Sequence, residues 1–196
     1  MAPLATTDPT ARILLDTTAI GFALSEISIR VRSAVNRGGA NLDHGSIVAV
    51  VLGVAAGILV AVWCATVIST TTIPGSWVPL LGGLVLMWLG IALRQWAVWT
   101  LGRFFTVVVR VTDGQSVVDR GPYRWVRHPS YAGLLLTLLG LGVALGNWLS
   151  LLALAILPLI GLVIRVRVEE RALLDALGEP YRSYAGGRRR LVPGIW

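Results

Sequence analysis

Two stretches without a single charged side chain limit what this 196-residue chain can fold into. The first runs from Gly45 to Leu93, 49 residues, and the second from Pro129 to Ile164, 36 residues. A core helix of a water-soluble protein is interrupted by polar residues every turn or two along its outer face, and these stretches are not. With 55% hydrophobic and only 14% charged residues, the chain also has too little charge to cover a soluble surface. The expected fold class is therefore an all-α integral membrane protein.

The first stretch is broken at its centre by Ile73-Pro74-Gly75-Ser76-Trp77-Val78-Pro79, a turn-forming cluster with an interfacial tryptophan. It divides into spans at about 46–69 and 77–101. The second, as one helix, would measure about 54 Å against a hydrocarbon thickness of about 30 Å, so it is expected to fold back at Gly146-Asn147-Trp148 as a hairpin of two short spans. An earlier segment, 10–32, is apolar but interrupted by Asp16 and Glu26. It is expected to be a membrane helix whose acids face protein or the interface. The count is then about five transmembrane helices, and four at minimum.

All 17 basic residues are arginines. They cluster at Arg30–Arg37, Arg103–Arg127 and Arg165–Arg190, and the turns at 70–76 and 146–148 have none. The positive-inside rule puts the arginine-rich loops and the C-terminus in the cytoplasm. The net charge of +7 belongs to residues bordering the spans, where lipid headgroups are the nearer partner than nucleic acid. The N-terminus lacks a basic region ahead of an apolar one, so no signal peptide is expected. Cys64 falls inside a span and is read as packing. Trp88, Trp96 and Trp99 are read as interfacial anchors or packing residues, with the lining of a lipid tunnel as the other reading.

Residues 1–101 are mostly spans with bare turns, and 102–196 hold most of the ionisable and tyrosine side chains. The expected division is a loop over 102–128, the hairpin over 129–168 and C-terminal helices over 169–196. Asp119-Arg120-Gly121-Pro122-Tyr123-Arg124-Trp125-Val126-Arg127-His128-Pro129-Ser130-Tyr131-Ala132-Gly133 precedes and opens the hairpin. Pro129 starts the helix, and the free N–H groups of its first turn, with Arg127 and His128, form an expected anion site. The plainer reading is a positive-inside loop in which Arg127 meets lipid phosphate and His128 caps the helix. After the hairpin come Arg165, Arg167, Glu169 and Glu170, then Gly178 as a C-cap and a short Pro180-started helix with Tyr181 and Tyr184 on one face. Here the plainer reading is salt bridges between successive turns with interfacial tyrosines. A hairpin must return its ends to the same membrane face, so Arg and His meet a carboxylate pair and tyrosines there. That pairing suits a zwitterionic amino-acid tail.

The run Gly121-Pro122-Tyr123-Arg124 … Arg127-His128-Pro129-Ser130-Tyr131-Ala132-Gly133, then Glu169-Glu170, then Gly178-x-x-Tyr181-x-x-Tyr184 and Leu191-Val192-Pro193, resembles the isoprenylcysteine carboxyl methyltransferase and phospholipid methyltransferase group. The likeness covers about 101–196. It implies a small helical membrane enzyme that uses S-adenosylmethionine, bound between the Arg-His-Pro loop and the C-terminal helices, with a lipophilic or prenylated substrate entering from the bilayer. Tyr123, His128, Pro129, Tyr131 and Gly133 would bind the cofactor, with Tyr181 and Tyr184 enclosing it. Glu169 or Glu170 would receive its ammonium or help organise the site. Arg127 would hold a carboxylate, and Arg165 or Arg167 would do likewise. Many relatives carry an arginine where this chain has Gly187; either Arg188 or Arg190 substitutes, or the acceptor differs. No metal is implied.

A carboxylate acceptor is already ionised at neutral pH and needs no general base, whereas an amine or thiol would, with Glu170 and Tyr184 as candidates. A phospholipid amine, a small thiol and an isoprenoid acid are the alternative acceptors. An NADPH-dependent membrane reductase gripping a 2′-phosphate with Arg188–Arg190, and a non-catalytic scaffold or transporter subunit, are the rival classes.

Overall fold

The apolar runs fold into helices that pair across the sequence rather than along it. A computed structural model describes residues 4–36, 40–74, 77–111, 114–192 and 196; Arg37, Gly75, Ser76 and Pro193 of the motifs above lie outside them. The elements are α1 (Leu4–Thr7), α2 (Pro9–Val35), β1 (Ala40–Asn41), α3 (Ser46–Val67), α4 (Trp77–Leu101), β2 (Arg110–Val111), α5 (Pro129–Ala144), α6 (Trp148–Leu177) and α7 (Glu179–Gly186). The two short strands pair antiparallel, Asn41 opposite Arg110.

Helix α3 packs along α6, α4 along α5, and α5 against α6. Small residues permit the approach. On α4 and α5, glycines seven apart face each other: a Cβ on Gly83 would stand 2.5 Å from the Gly140 carbonyl oxygen, and one on Gly90 2.6 Å from that of Gly133. On α3 and α6, Gly53 meets the Leu157 carbonyl and Gly161 that of Ala49. Side chains as apolar as lipid gain little by leaving it, so helix contacts in a membrane depend on such close backbone packing.

Among the described residues, three helices are long and apolar enough to cross a bilayer, over Ser46–Val67, Trp77–Phe104 and Trp148–Leu177. Helix α5, with 16 residues, is a shorter apolar limb of about 24 Å. These four account for the lower of the expected counts. Helix α2 forms over 27 residues but falls short of that apolar standard. Its two acids part company. Asp16 is exposed beside Arg12 at 3.8 Å, whereas Glu26 faces protein, bound to Arg94 of α4.

The hairpin turns where expected. The Asn147 side chain caps α6, accepting from the Leu149 and Ser150 N–H groups at 2.9 and 3.1 Å, and donates to the Ile68 carbonyl at 2.8 Å. The Ile73 N–H donates to the Gly146 carbonyl, so the two arginine-free turns lie together at one end. The second limb is not short: α6 runs 30 residues without a break at 168. Nothing between Arg165 and Leu177 ends a helix, and about 45 Å of helix carries Arg165, Glu169 and Glu170 to the charged end.

Candidate cofactor and substrate cavity

Pro129 opens α5, and the buried His128 ahead of it makes no side-chain cap. The His128 carbonyl accepts from both the Tyr131 and Ala132 N–H groups, so the expected nest of free N–H groups is mostly used within the helix. What fixes the loop is the chain's tail. Arg127 N–H donates to the Arg189 carbonyl at 2.8 Å and His128 N–H to that of Arg190 at 2.9 Å. Gly178, with φ of 58°, ends α6, and α7 then buries both Tyr181 and Tyr184.

Between these segments lies a cavity of about 1140 Å³, counting the solvent at its mouth. Its polar lining includes Tyr123, Arg127, His128, Tyr131, Glu169, Tyr181 and Tyr184; its apolar wall is formed by Phe104, Phe105, Val107, Val109 and Leu134 with Ile47 and Val50. The last two, like Arg94, come from the first hundred residues.

Glu169 and Glu170 divide the work because successive helical residues point about 100° apart. Glu169 faces the cavity, accepting from the Tyr131 hydroxyl at 2.5 Å, with His128 Nδ1 3.8 Å away. Glu170 lies outside the lining and is buried, within reach of Arg127 Nη1 (2.9 Å), Arg190 Nε (3.0 Å) and His128 Nε2 (3.3 Å). It is a strut between loop and tail. The His128 and Tyr131 rings stack at 5.5 Å, and the Tyr184 hydroxyl donates to the Tyr123 carbonyl at 2.8 Å. Arg127 Nε is buried and has no hydrogen-bond partner among the described residues.

Burial raises the Tyr123 and Tyr181 phenols well above their ordinary value, helped by the negative charge of Glu169 at the first and of Glu170 and Glu169 at the second. Burial also pushes Tyr184 up to about 12, against the opposing pull of Arg188.

Several expected site residues stand elsewhere. Arg167 is exposed and outside the lining, because it is two residues, about 200°, round the helix from Arg165. Pro129 is buried as the helix start and Gly133 packs against α4; neither lines the cavity. Arg190 holds Glu170 and lies over the Trp196 ring. Arg188 pairs with Asp119 at 2.5 Å and lies over the Tyr184 ring. Two of the three arginines a 2′-phosphate grip requires are thus engaged. Trp88, Trp96 and Trp99 are exposed on the outer surface and line no part of the cavity.

Sequence reasoning missed two buried charge clusters. Arg94 binds both Glu26 oxygens, Nε to Oε1 at 2.5 Å and Nη2 to Oε2 at 2.9 Å, and donates from Nη1 to the Ser130 carbonyl and hydroxyl. Arg165 pairs with Asp43. The available signal was a charged residue inside, or at the edge of, an apolar segment.

Residues 83–175 match the sequence profile of the isoprenylcysteine carboxyl methyltransferase (ICMT) family. The chain is 31% identical over 96 residues to the uncharacterised protein YpbQ of Bacillus subtilis, covering 45% of this chain and 57% of that one. It is 34% identical over 115 residues to protein-S-isoprenylcysteine O-methyltransferase B of Arabidopsis thaliana, covering 58% and 57%. With the Homo sapiens protein-S-isoprenylcysteine O-methyltransferase it is 32% identical over 115 residues, covering 58% and 39%. The matches thus span little more than half of these relatives, or less. The solved structure of the eukaryotic intramembrane Ras methyltransferase ICMT superposes with a TM-score of 0.66 at 23% identity, over 96% of this chain and 69% of that one. In fold the likeness extends over nearly the whole chain, and in sequence residues 83–175 are similar to the ICMT family.

Proposed function

We propose that the protein is an S-adenosylmethionine-dependent membrane methyltransferase that esterifies the carboxylate of a lipophilic, isoprenylcysteine-like acceptor entering from the bilayer. The observation that carries this reading is the joining, in one cavity, of Glu169, Arg127 and aromatic faces to an apolar wall. The polar end fits the cofactor's zwitterionic tail and sulfonium: Glu169 for the ammonium, the Arg127 guanidinium for a carboxylate, and the rings of Tyr123, Tyr181 and Tyr184 beside positive charge. The apolar wall fits a hydrocarbon tail. By the positive-inside rule the charged end is cytoplasmic.

When bound, S-adenosylmethionine supplies a methyl group activated by its positive sulfur. The acceptor carboxylate arrives ionised, so no residue of the chain has to remove a proton. The raised phenols support this, since a tyrosine that stays protonated near neutral pH is a poor base. Glu170, the other candidate base, is held by two arginines. The chain's tasks are alignment and exclusion of water, which account for much of the rate in such a displacement. A residue that orients the acceptor must not over-stabilise a charge that is lost in the transition state.

Calorimetric titration of the detergent-solubilised protein with S-adenosylhomocysteine and, separately, NADPH tests the reading. The expected result is binding of the first alone, weakened by about tenfold or more in Glu169→Gln, the equivalent of one charge-assisted hydrogen bond. Binding of NADPH alone indicates a reductase, and binding of neither a non-catalytic protein. Methyl transfer to S-farnesylcysteine in preference to phosphatidylethanolamine or a small thiol then identifies the acceptor.

A further inference from the structure

Arg165 is buried at 2% exposure and lines the cavity, where its charge invites a role in gripping a substrate carboxylate. Its bonds leave little for that. Nε donates to the Tyr131 hydroxyl at 3.1 Å, and Nη1 to the Ser46 hydroxyl at 2.9 Å. Nη1 also pairs with the Asp43 carboxylate, and Nη2 donates to the Val107 carbonyl. Every guanidinium nitrogen is engaged, and both edges of the fork are turned to protein. A planar guanidinium binds a carboxylate through two parallel N–H groups, and no such free pair remains.

The Tyr131 hydroxyl accepts from Arg165, so its own proton is the one given to Glu169 Oε2. That bond and the closer approach of His128 both use Oε2, which leaves Oε1 for a bound cation. The far end is equally fixed. Asp43 accepts from the Ile47 N–H, the Ser46 hydroxyl and the Val109 N–H, tying the start of α3 to the cavity's apolar wall. Asp43 and Ser46 precede the residues that match the ICMT family.

We propose that Arg165 is a positioning residue rather than a substrate ligand, held by Asp43 and Ser46 so that, through Tyr131, it aims Glu169 at the cofactor's ammonium. The inference rests on the methyltransferase reading and adds a part of the site contributed from outside the matched region. Only hydrogen bonds and an ion pair are involved, and no proton changes owner.

The test is S-adenosylhomocysteine affinity by calorimetry together with steady-state KM and kcat in Asp43→Asn, Ser46→Ala, Tyr131→Phe and the double variant Asp43→Asn/Tyr131→Phe. Each single variant is expected to weaken S-adenosylhomocysteine at least threefold while the acceptor KM stays within twofold. The double variant should be little worse than Tyr131→Phe alone, because the relay is already cut there. A purely structural role would give additive losses and no such split. Ser46→Ala removes one hydroxyl and keeps the ion pair, so it serves where Asp43→Asn fails to fold. A raised acceptor KM with unchanged S-adenosylhomocysteine affinity would make Arg165 a substrate ligand and overturn the proposal. Additive losses would overturn it too, leaving the methyltransferase reading intact. A wild-type protein that does not bind S-adenosylhomocysteine would overturn both.

Discussion

Gly133 separates two accounts of one residue. The family resemblance makes it a cofactor-lining position, whereas the structure puts it against α4: a Cβ there would stand 2.7 Å from both the Arg94 nitrogen and the Gly90 carbonyl oxygen and 2.9 Å from Arg94 Cβ. Ordinary contact begins near 3.4 Å, so Gly133→Ala requires the helices to part by about 0.7 Å against backbone that cannot turn aside. Overpacking of this kind costs about 1–3 kcal/mol. The movement also strains the Arg94 Nη1 bonds to the Ser130 carbonyl and hydroxyl, at 3.1 and 2.9 Å, each worth about 1.5–3 kcal/mol when fully lost. Replacing glycine in a helix returns about 1 kcal/mol. The net is a destabilisation of about 2 kcal/mol, or about 4–8 °C in the unfolding midpoint for a chain of this size. Gly82→Ala is the control, since nothing among the described residues stands within 4 Å of its Cβ; it should leave the midpoint unchanged or raise it. Thermal unfolding in detergent, followed by tryptophan fluorescence, reads both. A Gly133→Ala protein that unfolds with the wild type but binds S-adenosylhomocysteine more weakly would refute the packing argument and restore the cofactor-lining role.

Burial raises the phenols of Tyr123, Tyr181 and Tyr184, so absorbance at 295 nm should show at most one tyrosinate by pH 11 in the folded protein; two or more would contradict the buried site. An unfolded chain ionises its phenols near pH 10 and Tyr184 only at about 12. The stability these groups contribute is therefore complete below pH 10 and falls as pH rises from there through 12, a decline that Tyr184→Phe should lessen. Asn147→Ala removes the cap of α6 and the bonds to the Ile68 and Cys64 carbonyls, a loss of about 2–3 kcal/mol in thermal unfolding. At the far end of α5 from the cavity, it should leave S-adenosylhomocysteine affinity unchanged. Glu26→Gln strands the Arg94 charge and should cost about 3–5 kcal/mol, while Asp16→Asn, at an exposed residue, should unfold with the wild type; equal midpoints for these two variants would contradict the buried pair.

What the sequence made legible was local. Helix boundaries at Pro129, Asn147, Gly178 and Pro180 depend on a residue's own φ or capping group; the first three mark element ends in the structure, and Pro180 is the second residue of α7, one place after its start. Bilayer burial followed from uncharged length alone. The glycines at 83, 90, 133 and 140 were visible as residues, but their meaning depends on which helix faces which. That pairing joins α4 to α5 and α3 to α6, and no local signal specifies it. The same limit hid Glu169 from Glu170: adjacent acids on one helix look alike until something defines the cavity side.

The charges inside apolar segments are the exception, where a physical argument reaches further than it was taken. Read singly, Glu26 looks like a flaw in a span, and Arg94 like the end of an uncharged run. Lipid supplies no water to an unpaired charge, so a buried acid and a buried base each demand a partner, and few are available. Glu26, Asp43, Arg94 and Arg165 can satisfy one another in two ways, and composition cannot choose between them. The choice is made by α5: Ser130 takes the Arg94 guanidinium and Tyr131 that of Arg165. Adjacent residues in the first turn of one helix thus each receive an arginine held by an acid from before α4. The motif that looked like a cofactor loop is also the point where the amino-terminal segments lock onto the site. A change at Glu26 or Asp43, far outside the matched region, should therefore be felt at Glu169 before it is felt at the turn around Asn147.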